Sequence, residues 1–280
     1  MTPYLKVSGG GNDFLALVEP EQEPRAEEIR AWCRRGLSLG ADGLFVLRRA
    51  AAPNEIGEVV MDYWNADGLP ATLCLNGTRC AARLAFELGW ARDEARVRTG
   101  AGPIAARRVD ATQVALVLPR PAAPERRELE VAGERHAAWL VEVGVPHLVL
   151  VWTAGLASAP VATLGPLLRR HPDLGSAGAN VDFVRFPARR ELEIRTFERG
   201  VEAETLACGT GVLAGAATGL ALGLGELPLS ALTRGGFRMA VRDETPDGGP
   251  AAWSLAGDAR ILARGKLTPE AAIAPPAPVW

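Results

Sequence analysis

Apolar residues recur along this chain in short unbroken runs, such as Leu15-Ala16-Leu17-Val18, Leu44-Phe45-Val46-Leu47 and Val114-Ala115-Leu116-Val117-Leu118. Runs of this length, bounded by polar and turn-forming residues, predict strands. Residues 26–35 and 78–88 have helical composition and spacing, and 211–222 is a further helix-like stretch behind small residues. The chain is therefore of mixed α and β character. A long uncharged run, 148–168, could cross a bilayer by length. Gly155, Pro160, Gly165 and Pro166 would break a spanning helix, so the run predicts a buried strand followed by a loop.

Three prolines in Pro119-Arg120-Pro121-Ala122-Ala123-Pro124 fit neither a helix nor a central strand, and they mark a linker near the middle of the chain. The two halves echo each other. Thr72-Leu73-Cys74-Leu75-Asn76-Gly77 resembles Leu206-Ala207-Cys208-Gly209-Thr210-Gly211, with Cys-x-[Asn/Thr]-Gly common to both. The same offset pairs Asn12 with Pro146 and Asn65 with Arg199. One cysteine per half is what a pseudo-twofold site between two lobes would require.

With 280 residues, 48% of them hydrophobic and 23% charged, the chain has material for two domains with real cores. A formal charge of -2, with acids and bases interspersed, gives no electrostatic reason to expect nucleic acid or an anionic membrane as partner. A small-molecule substrate fits better. The first residues run straight into a strand-like segment without the pattern of a secretory signal, so a cytoplasmic protein is expected. The four cysteines, Cys33, Cys74, Cys80 and Cys208, form no C-x-x-C pair and no zinc-spaced cluster. Reduced thiols and no structural metal are the expectation.

Small residues and then a helical stretch follow Cys74 and Cys208, which places each thiol at a helix N-terminus. There, unpaired backbone N–H groups and the positive end of the helix dipole favour an anion, whether a thiolate or a substrate carboxylate. A free thiol titrates near ~8.5, and helix N-termini lower such values to roughly 3.5–7.5. Inverting an amino-acid α-carbon needs a base on one face, an acid on the other, and donors for the charge that develops on the carboxylate. Two facing turns of this kind supply all three. Cys33 and Cys80 lack such matching turns and read as small buried hydrophobes.

Seven motifs in order give the chain a resemblance to the diaminopimelate epimerase family of cofactor-independent two-cysteine enzymes. They are Gly9-Gly10-Gly11-Asn12-Asp13-Phe14, Gly40-Ala41-Asp42-Gly43, Asn65-Ala66-Asp67-Gly68, Cys74-Leu75-Asn76-Gly77-Thr78-Arg79-Cys80, Gly144-Val145-Pro146-His147, Asn180-Val181-Asp182-Phe183, and Glu198-Arg199-Gly200 leading to Cys208-Gly209-Thr210-Gly211. The resemblance implies an α+β fold of two pseudo-symmetric lobes, each a β-sheet wrapped round a central helix. The expected division is a lobe over 1–118, to which segment 259–280 returns, and a lobe over 125–258.

The resemblance further implies that Cys74 and Cys208 are the acid/base pair. The backbone amides of Leu75, Asn76, Gly209 and Thr210 become the carboxylate cradle, and Asn12, Asn65, Asn180, Glu198 and Arg199 the substrate-positioning groups. Arg199 suits a second carboxylate at the far end of the substrate, because its planar fork binds such a group bidentately. Pyridoxal phosphate is not implied, and a homodimer is. Two positions depart from the family pattern, Leu75 for glycine and Val145 for asparagine. Leu75 would be strained at positive φ, by about 1–2 kcal/mol. Val145 removes a polar contact worth roughly 0.5–1.5 kcal/mol. They keep open a racemase of a different amino acid with the same cysteine pair. Also open are a relative that binds or isomerises a small molecule without the thiols and, more weakly, a cysteine-nucleophile hydrolase. His147 takes a structural or supporting role in the resemblance, and His136 and His171 carry no signal.

Overall fold

The structure, a computed structural model, describes residues 1–50 and 57–273. The chain forms two compact units, one of Met1–Leu116 together with the chain from Asp258 on, the other of Val117–Gly257. In the first unit the elements are β1 (Thr2–Gly9), β2 (Asn12–Val18), α1 (Ala26–Cys33), β3 (Gly43–Arg49), β4 (Glu58–Asn65), β5 (Pro70–Ala71), α2 (Leu75–Glu87), β6 (Glu94–Thr99), β7 (Gly102–Arg108) and the start of β8 (Gln113–Pro119). β1 pairs antiparallel with β2, β2 parallel with β3, β3 antiparallel with β4, β4 antiparallel with β5 and parallel with β6, and β6 antiparallel with β7.

The second unit repeats this order. It contains β9 (Glu125–Val131), β10 (Glu134–Glu142), β11 (Pro146–Val151), α3 (Val161–Arg169), β12 (Asn180–Ala188), β13 (Glu191–Glu198), β14 (Ala203–Thr205), α4 (Gly209–Ala221), β15 (Leu229–Thr233), β16 (Arg238–Asp243) and β17 (Ala252–Asp258). Here β10–β11 is antiparallel, β11–β12 parallel, β12–β13 antiparallel, β13–β14 antiparallel, β13–β15 parallel and β15–β16 antiparallel. The chain then returns as β18 (Arg260–Leu267) along β1, antiparallel, as β9 lies along β10. Residues 274–280 of the segment 259–280 lie outside the described residues. The α+β fold of two like lobes expected from the sequence is the fold observed.

The unbroken apolar runs follow from burial of the strands on both faces. Leu15, Leu17, Leu44 and Val46 meet Ile29, Trp32 and Cys33 of α1 in one cluster. The alternate residues Phe14, Ala16, Phe45 and Leu47 are buried on the other face, the side of α2, with Phe14 and Phe45 in ring contact at 6.2 Å. α2 packs against β1, β2, β4, β6, β7 and β18 and is buried over nearly its whole length, so the sheet wraps it. In the second unit Leu148, Leu150, Val181 and Phe183 meet Val161, Leu164 and Leu168 of α3, while α4 packs against β10, β11, β12, β13 and β16.

Glycine sets how close α4 comes to β12. Gly211, Gly215 and Gly219 recur every four residues, a rise of about 6 Å. They match Asp182, Val184 and Phe186, which recur every two strand residues at about 6.6 Å. A Cβ on these glycines would lie 2.5 Å from Asp182, 3.1 Å from Val184 and 2.4 Å from Phe186. Only a helix without side chains on that stripe fits there.

Run 148–168 departs from expectation. Its strand is β11, but 161–169 is helix α3, not loop, with Pro166 inside it. Pro160 stands before the helix as its N-cap, and Val161, Leu164 and Leu168 form an apolar stripe at helical spacing. Packing of that stripe outweighs the hydrogen bond that Pro166 removes. The helices behind the two cysteines also begin earlier than composition suggested, at Leu75 and Gly209, immediately after each thiol. α1 ends at Cys33, with the chain turning at Gly36, whose φ is +80°.

Candidate active site

Cys74 and Cys208 are the N-cap residues of α2 and α4, with near-identical extended backbones (φ -144°, ψ 105° and φ -120°, ψ 113°). A short strand, β5 or β14, leads into each from the end of β4 or β13. The Gly77 amide donates to the Cys74 sulfur at 3.4 Å, and the Thr78 amide and hydroxyl both donate to the Cys74 carbonyl. Among the described residues no partner is satisfied by the amides of Leu75, Gly209 or Thr210. These are the donors that the first turn of a helix leaves over for an anion. Cys74 is half-buried and Cys208 buried. The other two thiols sit inside the packing: burial pushes Cys33 up to about 12 and moves Cys80 further in the same direction.

Around Cys74, the Gly10–Gly11 turn, at φ +61° and +88°, delivers Asn12 to the start of β2. The Asn76 amide donates to Asn12 Oδ1 at 2.6 Å, and Asn12 Nδ2 donates to Asp42 at 3.2 Å. Asn12, Asn76 and Cys74 thus come together at one end of α2. Asn65 ends β4, exposed, and its side-chain oxygen accepts from the Tyr63 hydroxyl at 3.0 Å. It also closes the turn to Gly68, whose amide donates to the Asn65 carbonyl. Leu75 is absent from the positive-φ residues and stands in helical backbone with its side chain buried, so the feared strain does not arise.

Around Cys208 the groups are more acidic. The Glu198 carboxylate accepts from the Thr205 hydroxyl at 2.7 Å and lies near enough to the Cys208 thiol for the two to act on each other electrostatically. Burial raises the Cys208 thiol well above its ordinary value, and Glu198 and Asp182 raise it further; the Thr210 hydroxyl, 3.3 Å away, and the Gly211 amide act in the opposite sense. Burial likewise raises Glu198, against the pull of its hydrogen bonds. Beneath them lies a wholly buried chain. Thr196 donates to Asp182 at 2.7 Å, Asp182 pairs with His147 Nδ1 at 2.6 Å, and His147 Nε2 meets Asn180 Nδ2 at 3.2 Å. The Asn180 oxygen accepts from the Arg199 amide at 2.8 Å. His147 therefore supports Asn180, and Asn180 fixes the backbone that carries Glu198 and Arg199.

Since the fold raises the Glu198 pKa, ionising this carboxylate costs stability. The cost is absent below the unfolded-state value, appears as pH rises, and is complete above the folded-state value. Glu198→Gln should therefore melt with wild type near pH 4 and above it at about pH 8, as thermal unfolding at the two pH values will measure.

Glu198 and Arg199 are not paired with each other: the Arg199 guanidinium, half-buried, has no carboxylate partner among the described residues. Val145 lies half-buried in the tight turn of Gly144, whose φ is +71°, with its carbonyl accepting from Val143. Sequence reasoning assigned no role to Asp42, Arg79, Asp182, Thr196 or Thr205. Asp182 and Arg79 carried a signal all the same, as ionisable residues inside otherwise apolar or small-residue stretches that fold into the core.

The family model described as diaminopimelate epimerase matches the chain twice, over residues 4–119 and 139–254. A diaminopimelate epimerase of Methanothrix thermoacetophila is 38% identical over 250 residues, covering 83% of this chain and 86% of the relative. One of Gemmatimonas aurantiaca is 34% identical over 281 residues, covering 94% and 98%. Among solved structures, a probable proline racemase from Agrobacterium radiobacter K84 superposes with a TM-score of 0.68 at 17% identity, over 97% of this chain and 96% of that one, a likeness of fold. With both matched segments falling one to each unit, and each holding one N-capping cysteine, the chain belongs to the diaminopimelate epimerase family.

Proposed function

We propose that this chain is a cofactor-independent epimerase that interconverts LL- and meso-diaminopimelate, a step of lysine biosynthesis, with Cys74 and Cys208 as its acid/base pair. The observation that carries the reading is the matched placement of the two thiols as N-caps beside unpartnered amides. In the reaction one sulfur, as thiolate, takes the α-proton; the electron pair left on carbon delocalises into the carboxylate. The amides of Leu75, Asn76, Gly209 and Thr210 hold that charge, and the other sulfur, as thiol, delivers a proton to the opposite face. The sum is inversion with no net gain or loss of protons. Burial and the neighbouring carboxylates favour the protonated form of Cys208 at rest, so the first base role falls to Cys74.

Asn12, Asn65, Asn180, Glu198 and Arg199 position the substrate. The unpaired Arg199 favours a second carboxylate, which diaminopimelate has and simple amino acids lack. Val145 favours the other reading, a racemase of a different amino acid, because it offers no polar group to the far end. The molecule works in the cytoplasm as a homodimer; no helix among the described residues is long and apolar enough to cross a membrane. Purified protein incubated with LL-diaminopimelate and a panel of single-carboxylate amino acids decides between the readings. Conversion of diaminopimelate alone is expected; turnover of a simple amino acid without diaminopimelate would overturn the substrate assignment.

A further inference from the structure

Arg79 is the largest charged side chain in the core, wholly buried in the second turn of α2. No carboxylate among the described residues pairs with it, and its Nη1 has no hydrogen-bond partner there. Among the described residues its side chain makes two hydrogen bonds: Nη2 donates to Asn76 Oδ1 at 2.6 Å and Nε to the Asp258 carbonyl at 3.4 Å. A buried arginine that serves stability alone is usually paired, because an uncompensated charge in the interior is costly. Burial pulls its pKa down, while Cys80, Asp258 and Cys74 pull it back up. An arginine nonetheless keeps its proton.

Two side-chain hydrogen bonds of Asn76 form part of a longer chain. Arg79 donates to Asn76, Asn76 donates to Asn12, and Asn12 donates to Asp42. The chain has one sense only. A guanidinium donates and never accepts, so the Asn76 atom facing it is the oxygen; an ionised carboxylate accepts and never donates, so the Asn12 atom facing Asp42 is the nitrogen. Between these ends the Asn76 nitrogen must meet the Asn12 oxygen, at 2.6 Å. Asp42 is itself held, accepting from the Asp13 amide at 3.1 Å and from Arg35 at 2.8 Å.

We propose that Arg79 is a positioning residue which, through Asn76, fixes the amide sense of Asn12, so that Asn12 presents a remaining Nδ2 hydrogen to the substrate. The proposal rests on the reading of Asn12 as a substrate-positioning group. Asn76 lies in the first turn of α2, directly behind the N-cap Cys74, so the buried cation orders the polar floor beside the reacting thiol.

Asn76→Asp tests this without removing the arginine. The new carboxylate supplies the guanidinium with the partner it lacks, and fold stability should hold or rise. It cannot donate to Asn12, whose amide then stands between two carboxylates and can satisfy only one of them in either sense. The expected result is a kcat/KM about tenfold or more below wild type at an unchanged or higher melting temperature. Combining Asn76→Asp with Asn12→Ala should then cost little beyond Asn12→Ala alone, because both act through one amide. Arg79→Lys, which like arginine can only donate to Asn76, should retain more activity than Arg79→Gln, whose amide can also accept and so does not impose the sense. Losses that multiply in the double variant, or an Asn76→Asp enzyme as active as wild type, overturn the inference and leave the role of Asn12 standing. A silent Asn12→Ala overturns both.

Discussion

Cys208→Ala and Cys74→Ala should each lower epimerisation by about 10²–10⁴, the usual contribution of a positioned acid or base, in both directions of the reaction. The group that donates in one direction abstracts in the other, so neither variant can keep one direction and lose the other. The fold should survive both changes, because each cysteine is an N-cap with extended backbone and α2 and α4 are held by packing against the sheet. Progress of LL- and meso-diaminopimelate conversion, with thermal unfolding as the control, measures the effect. Turnover unchanged by either substitution would leave only a reaction that bypasses the thiols.

The second large effect is at Arg199. Its backbone amide is bonded to Asn180 and stays in place whatever the side chain, so a substitution tests the guanidinium alone. Hydrogen bonds to a charged group contribute about 1.5–3 kcal/mol, so Arg199→Gln should lower kcat/KM for diaminopimelate roughly 10- to 150-fold. The loss should fall chiefly on KM, since a contact at the far carboxylate is made equally in the ground and transition states. Arg199→Lys keeps the charge without the planar fork and should lie between. An Arg199→Gln enzyme with unaltered KM for diaminopimelate would move the second carboxylate to another residue and reopen the single-carboxylate substrates.

Much of this architecture was legible in the residues. The repeated Cys-x-[Asn/Thr]-Gly turn located both N-caps, and continuous apolar runs such as 15–18 and 44–47 located strands buried on two faces. The α3 helix was not legible, because two prolines and a glycine outweigh a three-residue apolar stripe until the partner surface of β12 and β13 is known. The supporting network of the site was hidden for a related reason. Asp182, Thr196, His147 and Asn180 come from three strands, and only the register of β11, β12 and β13 brings them into one line. Nor does sequence order reveal that Asn76 reaches across 64 positions to Asn12. The helix behind Cys208 was legible but the purpose of its glycines was not; in the fold they are the surface that lets Asp182 lie against the helix.

Two thiols acting from opposite faces leave a distinct isotopic record. A thiol carries a single exchangeable proton, and in D2O the acid partner carries deuterium before substrate arrives. When LL-diaminopimelate is turned over in D2O and followed by NMR to low conversion, the meso product should carry deuterium at the inverted carbon. The remaining LL substrate should keep its proton. Substrate that gains deuterium as fast as product forms, or product that retains the original proton, would contradict the two-thiol account.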